Sequence, residues 1–215
     1  MIYIKKGARL KSFLFLVGAL FVFMLFLVCF KDVFLSPQER FEIAQQADFK
    51  REYKKAEKYY LLSTYKENET IQKLAWYYLG LLYKKQDAFG VKNINKSVKY
   101  LEKSAEKGLP QAQYELALLY ETGDKIPENQ EKAISYMKRA AAQDFVPAQY
   151  GLAVWIERGY VSDMTEKEAF SYYKKAAEQG YLPAQKGLAL IYKMGGLGVQ
   201  KDEEKAAFWF QKVSK

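Results

Sequence analysis

Apolar positions recur along most of this chain with helical spacing. After Gly108, the residues Ala112, Leu116, Leu119 and Tyr120 stand at i, i+4, i+7 and i+8, which is a single stripe on a helix. The same words then return. "GLPQAQYELALLYETG", "FVPAQYGLAVWIERG" and "YLPAQKGLALIYKMGG" place an alanine at Ala112, Ala148 and Ala184, a period of 36 residues. A weaker copy, "AWYYLGLLY", puts Ala75 37 residues before Ala112. A second phrase keeps step with the first. It reads "NINKSVKYLEKSAEKG", "NQEKAISYMKRAAAQD", "TEKEAFSYYKKAAEQG" and "DEEKAAFWFQKVSK". Two phrases in register over four copies predict stacked repeats, because a period of 20–50 residues marks that architecture.

The punctuation between the stripes predicts where helices begin and end. Pro147 and Pro183 fall in the first turn, where a missing N–H costs nothing. Gly123, Gly159 and Gly195 follow the last apolar residue, where a left-handed cap is wanted. Asn93, Asn129, Thr165 and Asp202 open the second phrase as N-caps, with Glu168 completing a capping box on Thr165. Gly108 and Gly180 close it. Each unit is therefore a helical hairpin, and a hairpin that cannot bury its stripe alone must stack on its neighbours.

At these residues the chain resembles Sel1-like repeats, relatives of the tetratricopeptide repeat. The pattern falls on Ala112, Leu116, Ala117, Tyr120 and Gly123, then on Ala133, Tyr136, Ala140 and Ala141. It returns at Ala148, Leu152, Ala153, Ile156 and Gly159, and at Ala184, Leu188, Ala189, Tyr192 and Gly195. The last copy departs at Val213 and Ser214, which replace the alanine pair, and the first departs at "KKQDAFGVK". Residues 69–215 thus read as four Sel1-like repeats. Residues 37–68 resemble a tetratricopeptide-like capping hairpin, with Tyr53, Ala56 and Tyr59 at packing positions. The fold class expected is all-α, an α-solenoid of stacked hairpins preceded by one transmembrane helix.

That last helix comes from "FLFLVGALFVFMLFLVCF", Phe13–Phe30, which is 18 residues without a charge. At 1.5 Å per residue it reaches about 27 Å, close to the hydrocarbon thickness of a bilayer. A cleaved signal peptide is the rival, but its apolar run is shorter and ends in a small-residue site that is missing here. A retained signal anchor is the expectation, with residues 1–12 as a basic tail and 31–36 as a linker. Lys5, Lys6, Arg9 and Lys11 precede the run, while Lys31 and Asp32 cancel after it. The positive-inside rule then puts the N-terminus in the cytoplasm and the repeats across the inner membrane, in the periplasm of a bacterium.

Composition narrows the chemistry. The net charge is +9; residues 1–36 hold five basic and one acidic residue, which leaves +5 on the repeats. Lysines there are interleaved with glutamates on helix faces, so no nucleic-acid stripe is expected. Histidine is absent, which removes histidine-based triads, general acid–base work and the usual zinc sites. "GGLG" at Gly195–Gly198 lacks the lysine of a phosphate loop and sits at a repeat turn. The chain is expected to be no enzyme and to need no cofactor or metal.

Binding remains. In a hairpin solenoid the first helices line the concave face, and positions +2 and +6 from each alanine point away from the core stripe. They are Tyr77 and Leu81, Tyr114 and Leu118, Tyr150 and Val154, and Lys186 and Leu190. A solvent face would be polar throughout, so these positions are either an exposed apolar interaction surface or are buried against neighbouring repeats in a tightly wound solenoid. The expected function is an anchored scaffold that holds an envelope or secreted protein on this row. Two alternatives remain open: a protein that clasps a toxin or export client, and a peptidoglycan-binding factor whose tyrosines stack on sugars.

Overall fold

The computed structural model describes residues 32, 34–65, 68–85, 93–123 and 126–213. Among them lie ten helices that follow one another as hairpins. They are α1 (Pro37–Phe49) with α2 (Tyr53–Ser63), α3 (Glu69–Lys84) with α4 (Ile94–Glu106), α5 (Pro110–Thr122) with α6 (Gln130–Ala141), α7 (Val146–Glu157) with α8 (Glu166–Glu178), and α9 (Leu182–Met194) with α10 (Glu203–Val213). Each second helix also packs on the first helix of the next hairpin, the neighbour-to-neighbour layout of a solenoid. The basic tail, the Phe13–Phe30 run and most of the loop between Lys84 and Asn93 lie outside the described residues. Among the described residues no helix is long and apolar enough to cross a membrane.

The N-cap chemistry is as the sequence predicts. Asn93 accepts from the Lys96 N–H at 3.1 Å, Asn129 from Lys132 at 2.9 Å, and Asp202 from Lys205 at 2.9 Å. Thr165 and Glu168 form both halves of a capping box, and so do Ser36 and Glu39 at the start of α1. Gly123 and Gly159 adopt φ of +60° and +76° at their helix ends, whereas Gly195, expected as a third left-handed cap, takes φ +78° with ψ 164° and leaves the left-handed helical region as the chain turns into Gly196. At 36-residue intervals Gly108, Asp144 and Gly180 also take positive φ. Asp144 fills the middle place because a short polar side chain tolerates the left-handed region.

First helices differ. Leu109, Phe145 and Tyr181 occupy the N-cap positions of α5, α7 and α9 and make no side-chain cap. A proline at the first turn removes one orphan N–H instead. A buried glutamine does further work. Gln113 donates to the Ala105 carbonyl at 3.1 Å and Gln185 to the Ala177 carbonyl at 3.1 Å, each tying a first helix to the helix before it. Gln149 gives its amide to the Asp144 carboxylate at 3.0 Å. Gln143 and Gln179 donate in turn to Gln113 and Gln149. These glutamines recur in "PQAQ" and "PAQ", yet their pairing depends on helix register and is not visible in spacing.

The core follows the stripe. Ala75, Ala112, Ala148 and Ala184 are buried, as are Leu79, Leu116, Leu152 and Leu188 four residues on. Small residues let the helices approach: a Cβ on Gly187 would stand 2.8 Å from the Tyr173 ring, and one on Gly80 2.6 Å from Leu101 Cγ. The tyrosines at the end of the first-helix stripe are packing residues. Tyr83 stacks on Tyr100 with ring centroids 5.7 Å apart, and Tyr120 on Tyr136 at 6.2 Å. In the third repeat Ile156 takes that place, so Tyr172 has no tyrosine there to stack on.

Candidate functional site: the first-helix face

The row expected on the concave face divides in two. Tyr77, Leu81, Tyr114, Leu118, Tyr150 and Val154 are half-buried, whereas Lys186 and Leu190 are exposed. Part of the cover on Tyr114 and Tyr150 comes from the next hairpin, and part of that on Tyr150 from its own. Tyr114 meets the ring of Phe145 edge-on at 5.6 Å, and Tyr150 meets Tyr181 at 5.4 Å and Tyr173 at 5.8 Å. The aromatic N-cap residue of each later first helix therefore covers one side of the tyrosine before it. This is why the caps of α7 and α9 are rings rather than serine or aspartate. Five of these residues, Tyr77, Tyr114, Leu118, Tyr150 and Val154, pack against the central core. A helical wheel gives their direction but not the depth of the neighbour that overlaps them.

The row is nonetheless one surface. Burial pushes the Tyr77 hydroxyl up to about 12, and the Glu115 carboxylate on α5 adds to it. Tyr114 is raised by burial first, then by Tyr181, Glu115, Glu121 and Tyr150. Groups from α5, α7 and the start of α9 thus share one field. Lys84 on α3 binds Glu115 at 2.7 Å and bridges the first two of these repeats. Tyr77 and Tyr114 stay protonated and neutral at ordinary pH and can offer a hydroxyl alongside an apolar ring.

At α9 the row opens into a groove of about 530 Å³. Its walls include Tyr150, Glu157, Tyr173, Leu182, Lys186, Leu190 and Met194. Tyr173 donates its hydroxyl to Glu157 at 2.5 Å, which fixes the carboxylate on the groove wall. Leu190 is 44% exposed, and Leu182 and Met194 are exposed beside it. Leu182 and Met194 escape sequence reasoning because they flank the expected positions. The arrangement provides an apolar floor, a lysine and a fixed carboxylate. Among the described residues no cluster of His, Cys, Asp or Glu could hold a metal. "GGLG" is a tight turn closed by Gly196 and Val199, with Leu197 buried.

The Sel1 repeat model matches residues 74–109, 110–145, 146–181 and 182–214. The chain belongs to the Sel1-repeat family. Among solved structures it is similar to a Sel1 repeat protein from Oxalobacter formigenes, at 27% identity and a TM-score of 0.65 over 83% of this chain and 51% of that one. It is also similar to c5321, a protective antigen of uropathogenic Escherichia coli described as having an SLR fold, at 29% identity and a TM-score of 0.69 over 82% of this chain and 38% of that one. The chain thus spans about half, or less, of the length of these relatives. No curated protein matches it.

Proposed function

We propose that this chain is a membrane-anchored scaffold whose first-helix face binds another protein. The observation that carries the reading is the apolar row running from Tyr77 across three repeats into the open groove at Leu190. Membership of the Sel1-repeat family supports binding over catalysis, and so does the absence of histidine from the chain. The uncharged Phe13–Phe30 run supports the anchor, and the four basic residues before it support a cytoplasmic N-terminus with the repeats in the periplasm. The partner is accordingly an envelope or secreted protein that offers apolar side chains to the groove.

The test is capture from envelope extract by the full chain and by the variants Leu190→Glu and Lys186→Glu. The scaffold reading expects one protein retained by the wild type and lost with both variants. Retention of peptidoglycan fragments by the wild type, with no protein partner, would replace it with the glycan reading.

A further inference from the structure

Asp32 stands two residues beyond the end of the apolar run, where a free linker would be expected. It is instead fastened to the first hairpin. Its carboxylate accepts from the Tyr59 hydroxyl at 2.6 Å and from Lys58 Nζ at 2.5 Å. Its carbonyl accepts from Arg40 Nε at 3.2 Å, and the same guanidinium reaches the Leu62 carbonyl at 3.2 Å. Arg40 lies in α1, and Lys58, Tyr59 and Leu62 lie in the second half of α2. Asp32, the first turn of α1 and the last turns of α2 thus form one knot.

This end of the hairpin exposes three large apolar side chains, where the opposite end exposes Phe49. Phe34 is 68% exposed, Leu61 38% and Tyr65 69%. Lys58 compensates the Asp32 carboxylate, so the knot presents no isolated negative charge. Two residues of extended chain reach at most about 7 Å. The polar layer on each side of the hydrocarbon core is itself about 5–7 Å deep. With Phe30 at the edge of the core, Asp32 lies within that layer, and α2 must come with it. Tyrosine is enriched at this depth, and exposed leucine and phenylalanine bury apolar area there.

We propose that the first hairpin is seated on the lipid bilayer through Phe34, Leu61 and Tyr65, with Asp32 as the pin that holds the seat to the anchor. The proposal rests on the reading of Phe13–Phe30 as a span. It makes α1 and α2 a membrane-contacting cap, so the repeats rise from the bilayer surface without a slack tether.

The full chain carrying Cys29→Ser is labelled with an environment-sensitive fluorophore at Tyr65→Cys or, as a far-end control, at Lys201→Cys. It is reconstituted in phosphatidylcholine–phosphatidylglycerol vesicles that contain lipids with a quencher at the headgroup. Flotation with the vesicles reports the anchor alone. The seat predicts flotation together with quenching at position 65 several-fold above that at position 201. It also predicts that Asp32→Ala still floats but loses most of the quenching at 65, while Asp32→Glu retains it. Flotation with equal, weak quenching at both positions would overturn the seat and leave the anchor standing. Protection at 65 that grows with protein density rather than with lipid quencher would assign the surface to a second copy and overturn it as well. Failure to float would overturn the span itself. If circular dichroism shows Asp32→Ala to be unfolded, the contrast between positions 65 and 201 in the otherwise native chain decides the question.

Discussion

Tyr120 of α5 donates its hydroxyl to Glu102 of α4 at 2.9 Å, across the boundary between two repeats. Tyr83 makes the same bond to Glu57 one repeat earlier. Further along, Lys138 and Lys174 take the place of the glutamate; Lys138 turns instead to Asp163 at 2.7 Å. The tyrosine clamp therefore joins the first hairpins and is absent from the later junctions.

This clamp predicts an alkaline weakness. Burial, and then the bond to Glu102, raises Tyr120 to about 12, above the ordinary value of 10.0. Tyr77 is raised to about 12 as well, and Tyr60, Tyr83 and Tyr173 are raised further. A raised value means the folded chain keeps a proton that the unfolded chain has lost. The stabilisation is complete below about pH 10 and declines as pH rises toward about 12. Urea midpoints measured from about pH 9 to about pH 11 should fall above pH 10, and Tyr120→Phe should fall less steeply. The same variant at neutral pH should cost about 1 kcal/mol for the lost bond. A flat midpoint across this range would contradict the burial of these hydroxyls.

Stacking register can be tested at Ala184, which is fully buried where α9 begins. Ala184→Leu should overpack the junction with α8, at about 1–3 kcal/mol. Ala207→Leu, on the exposed side of α10, should change stability by less than about 0.5 kcal/mol. Equal melting temperatures for the two variants would show that the alanine column does not set the spacing.

Much of this was legible in the sequence, and the limits are specific. Caps at Asn93, Asn129, Thr165 and Asp202 are local bonds spanning three residues, so spacing alone predicts them. The glycine turns and the alanine–leucine stripe belong to the same class. The glutamine pairs Gln113–Gln143 and Gln149–Gln179 join residues 30 apart and need helices already in register. For the half-buried Tyr114 and Tyr150 the sequence left exposure and burial between repeats both open, because the choice depends on Phe145, Tyr173 and Tyr181, which lie 23 to 31 residues away. Asp32 looked like linker because its partners, Lys58 and Tyr59, are 26 and 27 residues away.

That half-burial separates the roles of the row. Tyr114→Ala should lose about 2 kcal/mol, roughly half the cost of truncating a fully buried aromatic. Leu190→Glu should leave the melting temperature within experimental scatter, because the side chain is exposed. A Tyr114→Ala variant as stable as wild type would mean that its contact with Phe145 contributes nothing.

Topology has its own readout. A reporter enzyme active only outside the cytoplasm, fused after Lys215, should be active while the protein stays in the membrane fraction. Activity in a shortened, released form would show that Phe13–Phe30 is a cleaved signal.

The central claim is that the first-helix groove holds a protein partner, and in-cell photocrosslinking reads it most directly. A photoreactive amino acid at position 190 lies in the groove, and one at position 99 lies on the exposed side of α4. The account predicts one discrete crosslinked protein from position 190 and none from position 99. A discrete product from position 99, with none from 190, would place the partner on the second-helix face and contradict it.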